Sequence, residues 1–510
     1  MPRRSRSIGL ALAITLVPAC LAVPALARAG AAPDAFTPVD DRSPQERGRA
    51  RAMASPPSDP SSPEPSEAMA GGDATATGPI DRDAFSRFSG NLDAAGQARF
   101  ARGHALFRQE WVPAPAAAFG GLGPLFNARS CESCHIRDGR GHPPDGAAVA
   151  TSLFLRLSRA PRTPEEQALL KDGTLLNLPD PAYGGQFQDQ AVYGVAPEGR
   201  VVVRYEDFTV TLGDGTEVAM RRPDYSVTDL AHGPMDVSVT LSPRVASPMI
   251  GLGLIEQIHP ADILALADPG DADGDGISGR ANIVRDAMAG EMALGRFGWK
   301  AQTATIRQQA AEAFAFDMGI STPDVPKPWG DCTPAQAACR EMAAGAGEDP
   351  EAPEALLDLI TFYSRHVAVP ARRDVDDPEV LRGRALFHEI GCAACHTPRF
   401  VTRADAPDAA LAGQIIWPYS DFLLHDMGLG LTDWQIVGEA RGGEWRTPPL
   451  WGIGLTRTVS GHTFFLHDGR ARDLTEAILW HGGEGEASRD GFKALGRQDR
   501  EALIRFLESL

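Results

Sequence analysis

Apolar residues recur at helical spacing in four stretches of the chain. Thr163-Pro-Glu-Glu-Gln places a proline in a first helical turn, and Pro353-Glu-Ala-Leu-Leu-Asp-Leu-Ile-Thr-Phe-Tyr carries one apolar face. Residues 474–480 and 499–510 keep the same period. Between residues 200 and 220 the pattern changes. Val201-Val-Val-Arg-Tyr, Phe208-Thr-Val-Thr-Leu and Thr216-Glu-Val-Ala-Met read as strands, with Asp214-Gly215 as a tight hairpin turn. The expected fold is mainly α with a β-containing insertion.

The chain opens differently. Arg3, Arg4 and Arg6 precede an apolar run over residues 8–27, and Ala27-Arg28-Ala29 offers a small-x-small cleavage site. That order predicts a secretory signal peptide over 1–29, the alternative being a membrane anchor. Pro18 and Pro24 interrupt the run, which favours removal. The apolar stretch continues past Cys20, which argues against a lipoprotein site. Residues 30–80 are rich in Pro, Ser, Ala and Gly and are expected to form a disordered linker. No later apolar run is long enough to span a bilayer, so a periplasmic protein without a membrane span is expected.

Composition narrows the function class. With 43% apolar and 23% charged residues the chain reads as globular, and its net charge of -18 excludes nucleic acid as a natural partner. A small neutral substrate, or a basic soluble electron donor or acceptor protein, is compatible with that charge.

Cysteine placement carries the chemistry. Cys131-Glu-Ser-Cys134-His135 and Cys392-Ala-Ala-Cys395-His396 are CxxCH pentapeptides. In each, two thiols are spaced to form thioethers with porphyrin vinyl groups, and the adjacent histidine is placed to ligate iron. A zinc site would need a second CxxC close by, and a dithiol redox pair has no use for a histidine after both copies. Two covalently bound haem c groups are therefore expected. Arg102-Gly-His-Ala-Leu-Phe107 precedes the first motif and Arg382-Gly-Arg-Ala-Leu-Phe387 the second, as if one haem-binding module occurred twice. The expected domains are 81–370, with a β-rich insertion at about 150–290, and 371–510, both cytochrome c-like. Cys332 and Cys339 are left over; in an oxidising compartment they form a local disulfide, or else a free buried pair.

Several separated stretches carry a resemblance: Arg446-Thr-Pro-Pro-Leu-Trp-Gly-Ile-Gly-Leu-Thr, Leu466-His-Asp-Gly-Arg, Met249-Ile-Gly-Leu-Gly-Leu-Ile-Glu, Gly295-Arg-Phe-Gly-Trp-Lys and Phe316-Asp-Met-Gly-Ile. With the paired CxxCH modules, they resemble the di-haem oxidoreductase family. That family is related to bacterial di-haem cytochrome c peroxidases and to the tryptophan-tryptophylquinone-maturing di-haem enzyme. The resemblance implies a sixth ligand for the second haem just after the Leu-x-Glu-Ala helix, where this sequence has His481; Met427 is the runner-up. It also implies that Trp299 lies between the haems, and that Gln309, ten residues on, and Asp317 belong to a distal pocket where the relatives have Gln and Glu. On a helix, Gln309 and Asp317 fall within about 80° of each other, and a carboxylate there can move a proton for a bound peroxide.

The resemblance names no sixth ligand for the His135 haem, and His142 is the nearest candidate. The expected function is a peroxidase-like oxidoreductase, in which the first haem meets peroxide and the second relays electrons. The alternatives are an electron carrier without turnover, or an oxygenase that takes dioxygen, as in the related rubber oxygenases. Separately, Asp271, Asp273 and Asp275 have the spacing of a calcium loop, although Asn282 stands where an EF-hand has its bidentate Glu.

Overall fold

The computed structural model describes residues 36–116, 119–144, 152–342, 345 and 349–510. The signal segment expected over 1–29, with Cys20, lies outside the described residues. Phe36–Leu510 form one compact unit.

The repeated Arg-Gly-x-Ala-Leu-Phe sequence occupies the last turns of two helices, Ala94–Phe107 and Pro378–Glu389. Each crosses a second helix at its glycine. A Cβ on Gly103 would stand 2.6 Å from Cβ of Tyr363 in Glu354–His366, and one on Gly383 would stand 1.9 Å from the Ala502 carbonyl in Arg497–Ser509. No other residue permits that approach. The phenylalanine closing each motif then turns toward the CxxCH histidine. Phe107 and His135 lie 6.2 Å apart at 55°, and Phe387 and His396 lie 6.1 Å apart at 54°. Tyr363 backs Phe107 at 5.1 Å, and Phe506 backs Phe387 at 5.3 Å. The echo in the sequence is thus a repeat in space.

The helices expected from periodicity are present as Pro164–Lys171, Glu354–His366, Leu474–Leu479 and Arg497–Ser509. Thr163 caps the first by accepting from the Glu166 N–H. The hairpin is longer than expected. Arg200–Thr211 and Glu217–Thr228 pair antiparallel along their whole length, in place of two short strands before the turn. Its side chains reach the C-terminal half: Phe208 meets Trp480 edge-on at 5.6 Å, and Arg221 donates to the Arg470 carbonyl at 2.9 Å. Leu153–Ser158 is the middle strand of a three-stranded antiparallel sheet with Gln186–Phe187 and Thr240–Val245.

Two expectations need correction. The protein is mixed α/β, with 31% helix, 16% strand and several small sheets, not two mainly α, cytochrome c-like domains. Between the helices and longer strands that reach the cavity described below, the backbone runs as loops and short strand pairs, such as Leu424–Asp426 with Glu444–Arg446, and periodicity does not register these. Nor is the linker expected over 30–80 a spacer where it is described. Ser43 and Glu46 form a capping box at the start of a helix, Pro44–Ala54. Glu67 is fully buried, pairing with Arg384 at 2.8 Å and with Arg372, and accepting the Tyr419 hydroxyl. Low apolar content hid this segment because a buried charge cluster, rather than apolar burial, fastens it.

Substituting Glu67→Gln leaves the buried Arg372 guanidinium without its counter-charge and Arg384 with only the more distant Glu64 at 3.7 Å. The expected cost is about 3–5 kcal/mol, read as a lower denaturation midpoint at unchanged slope; a change under 1 kcal/mol would remove this cluster as an anchor.

Candidate functional site

A short helix, Cys131–Cys134, is capped by Ser130, whose hydroxyl accepts from the Ser133 N–H at 3.2 Å. Its single turn puts both thiols on one side and delivers His135 at its end. The second motif is a 3₁₀ turn, Cys392–Ala394, entered through Gly391 at φ +89°. Both sets face one apolar cavity of about 420 Å³. Cys131, Cys134, His135, Cys392, Cys395 and His396 line it, and so do Trp299, Gln309, Asp317, Met427 and His481.

The donor chemistry fits haem on two observations. First, His135 gives its Nδ1–H to the Ser247 carbonyl at 2.7 Å, and His396 gives its own to the Tyr419 carbonyl at 2.9 Å. Each ring is thereby oriented, with Nε2 left as a ligand atom. Burial lowers both to about 4, so each is neutral at physiological pH, the form that binds a metal. Second, burial pushes the Cys131 and Cys392 thiols up to about 12, and Cys134 and Cys395 upward as well. That is opposite to the depressed values of dithiol redox pairs.

His481 donates Nδ1–H to the Ala477 carbonyl at 2.8 Å, which also leaves its Nε2 open. A charge on His481 would lower the proton affinity of His396, so the two rings are neighbours. Met427 lies beside His481: a Cβ on Gly485 would touch both. Near His135, among the described residues, no second imidazole exerts such an influence. His142 is turned elsewhere, its Nδ1 on the Pro143 carbonyl and its ring 5.3 Å from His462.

Gln309 and Asp317 lie on one helix, Ile306–Asp317, and face the same cavity. Eight residues also separate them by about 12 Å along its axis, and they have different partners. Thr303 donates its hydroxyl to Gln309 Oε1 at 2.9 Å, while Gln186 donates to Asp317 Oδ1 at 2.8 Å. Burial raises the Asp317 carboxyl, against the lowering effects of Arg156 and Gln186. Its charge is also felt at Cys131 and Cys134, which places it at the first motif. The Trp299 indole donates to the Val245 carbonyl at 2.8 Å, and the Arg140 guanidinium lies 5.3 Å from its ring centroid.

Two candidates stand apart from the cavity. Cys332 and Cys339 are joined as a disulfide. Asp271, Asp273 and Asp275 are exposed, with carboxylate oxygens within 4.8 Å of one another. Asn282 does not join them; it is buried, donating to the Lys300 and Val437 carbonyls and accepting from the Glu439 N–H.

Sequence reading missed His425 and His467. His425 is clamped between Asp421 at 2.8 Å and Glu484 at 2.6 Å, beside Cys395; although burial works to lower it, these carboxylates hold it well above its ordinary value. His467 stacks on Trp445 at 3.8 Å, and burial lowers it to about 3. His467 lies in a segment used above only for family likeness, and His425 two residues before Met427, so a signal was present without a role attached.

Paired CxxCH histidines converging on one apolar cavity define a di-haem redox protein. The chain belongs to the family described as "Di-haem oxidoreductase, putative peroxidase", whose model matches residues 66–510. Among solved structures it is similar to hydrazine synthase of Kuenenia stuttgartiensis, pressurized with 20 bar xenon, at 13% identity over 79% of this chain and 98% of that one. The TM-score of 0.26 is too low to carry an argument. No curated protein matches.

Burial works to raise the Glu484 carboxyl, yet hydrogen bonds from His425 and Ser278 hold it at about 2, below its ordinary 4.5. A depressed carboxyl contributes stability above its unfolded value and loses it as pH falls from about 4.5 toward 2. Glu484→Gln should therefore flatten the acid limb of a stability-against-pH profile in that window; an unchanged limb would show that the clamp does not couple to folding.

Proposed function

We propose that this di-haem oxidoreductase is an exported, peroxidase-like c-type cytochrome. Cys131 and Cys134 would hold one haem, with His135 as ligand; Cys392 and Cys395 would hold the other, with His396 and His481 as ligands. The observation that carries this reading is the inequality of the two histidines: His396 has a buried imidazole as neighbour and His135 has none among the described residues. When bound, a haem with two strong ligands relays electrons, and one with an open position coordinates and reduces a peroxide.

The chain's own residues then divide the remaining work. Asp317, its carboxyl raised by burial, takes up and returns a proton at Oδ2 while Gln186 fixes Oδ1. Gln309, its Oε1 committed to Thr303, presents its amide N–H₂ to the cavity. Trp299 is fixed by Val245 on the wall common to both motifs and offers an aromatic stepping stone between them. Among the described residues no helix is long and apolar enough to cross a membrane. A soluble electron-exchange protein of basic surface suits the net charge of -18. Calcium is proposed for Asp271, Asp273 and Asp275 on ligand spacing and proximity.

Low-temperature EPR of the oxidised protein tests the haem assignment. One high-spin and one low-spin signal are expected, and His481→Ala should convert the low-spin signal to high-spin. Two low-spin signals, with no spectral change on stoichiometric peroxide, would make the protein an electron carrier. An unaltered spectrum in the variant would pass the ligand role to Met427. For calcium, thermal unfolding should shift upward on replacing chelator with calcium, and Asp273→Ala should abolish the shift; coincident curves would dismiss the ion.

A further inference from the structure

Four arginines line the cavity with their side chains almost wholly buried: Arg140, Arg244, Arg296 and Arg446. Arg140 and Arg446 contact Trp299 directly, and Arg244 and Arg296 adjoin it along the chain or through Val245. Arg140 lies over the indole ring, and Arg244 precedes Val245, whose carbonyl takes the indole N–H. Arg296 stands three residues before Trp299, and Arg446 bonds through its N–H to the Trp299 carbonyl and through Nε to that of Gly298.

A buried guanidinium cannot shed its proton and costs several kcal/mol unless an anion balances it. Yet the protein supplies these four with neutral acceptors. Arg140 bonds to the Phe464 and Leu466 carbonyls, Arg296 to those of Ile255 and Ile258, and Arg244 to the Ser242 hydroxyl and the Gln435 amide oxygen. The carboxylates nearest in effect are already claimed: Asp468 by Arg470 at 2.9 Å, Asp433 by Lys300 at 3.0 Å, Glu256 by Arg365 at 2.6 Å and Asp421 by His425 at 2.8 Å. Burial accordingly lowers each of the four arginines to about 10. Arg156, on the same wall, faces buried carboxyls, its charge lowering those of Asp317 and Glu312.

We propose that Arg140, Arg244, Arg296 and Arg446 form a cationic collar that binds the propionate carboxylates of the two haems and draws them together around Trp299. Two haems bring four carboxylates to four unbalanced cations. The inference rests on the di-haem reading and adds the residues that hold the cofactors' anionic edges. It gives the collar a second consequence: with the propionates in place the surroundings of Trp299 are near neutral, so the indole is not penalised as an electron relay by four adjacent positive charges.

The test uses the exported, haem-loaded protein. Each arginine is changed singly to Met and to Lys, covalent haem is counted from its denatured absorption spectrum, and midpoint potentials of both haems are titrated by spectroelectrochemistry. Because thioethers hold the porphyrin independently, the Met variants should keep both haems. They should also show a lower midpoint potential for at least one haem, since removing a cation beside the propionates favours the ferric form. Lys variants should stay near the parent, and Arg382→Met, a surface arginine paired with Asp499, should not move. Where a Met variant does not accumulate, Arg→Gln carries the same measurement. Potentials unmoved in all four charge-removing variants, with both haems bound, would overturn the collar. Parent protein lacking covalent haem would instead overturn the reading beneath it.

Discussion

Each CxxCH imidazole has one orientation open to it, because its Nδ1–H is committed to a carbonyl from a distant part of the chain. Much of the fold can be traced back from those two carbonyls. Ser247 follows the Thr240–Val245 strand, which is held in register against Leu153–Ser158. Tyr419 adopts a left-handed backbone conformation, and its hydroxyl reaches the buried Glu67, which also pairs with Arg372 and Arg384. The strands of the insertion and the polar N-terminal segment are therefore structural supports of the cavity. Carbonyls that accept from the far nitrogen in this way fix the tautomer and direction of a metal-binding histidine, so their displacement acts at the site even though they never touch a ligand.

The two halves use one device and surround it differently. A glycine-permitted helix crossing, an aromatic ring and a histidine recur with nearly the same geometry on both sides. Beyond that shared unit, the second half places His481, Met427 and the Asp421–His425–Glu484 clamp near His396. The first half places Asp317 near its cysteines and, among the described residues, no imidazole beside His135. A duplicated module with unequal neighbours is a physical basis for two prosthetic groups of unequal reactivity.

Interior charges are met in two ways. Glu67, Asp433 and Asp468 are buried with cationic partners, whereas the four arginines around Trp299 have only dipoles from protein. Interior cations without a counter-charge from the protein are left for an anionic ligand to complete.

The sequence by itself determined the two CxxCH sites, the disulfide cysteines, the principal helices and the family, because each depends on local spacing or on short contiguous motifs. Trp299, Gln309 and Asp317 were legible only through the resemblance, and His481 likewise. Tertiary structure alone decided that all of these share one cavity, that Gln309 and Asp317 have separate partners, and that the segment around Glu67 is fastened in the core. It also revealed the clamp on His425 and the arginine collar. The reason is physical: ion pairing and burial are relations between residues hundreds of positions apart, as Glu67 is from Arg384, and no local period encodes them. The mixed α/β character escaped for a related reason. Two-residue strand pairs around a cavity are held by partners elsewhere in the chain, and leave almost no pattern in their own sequence.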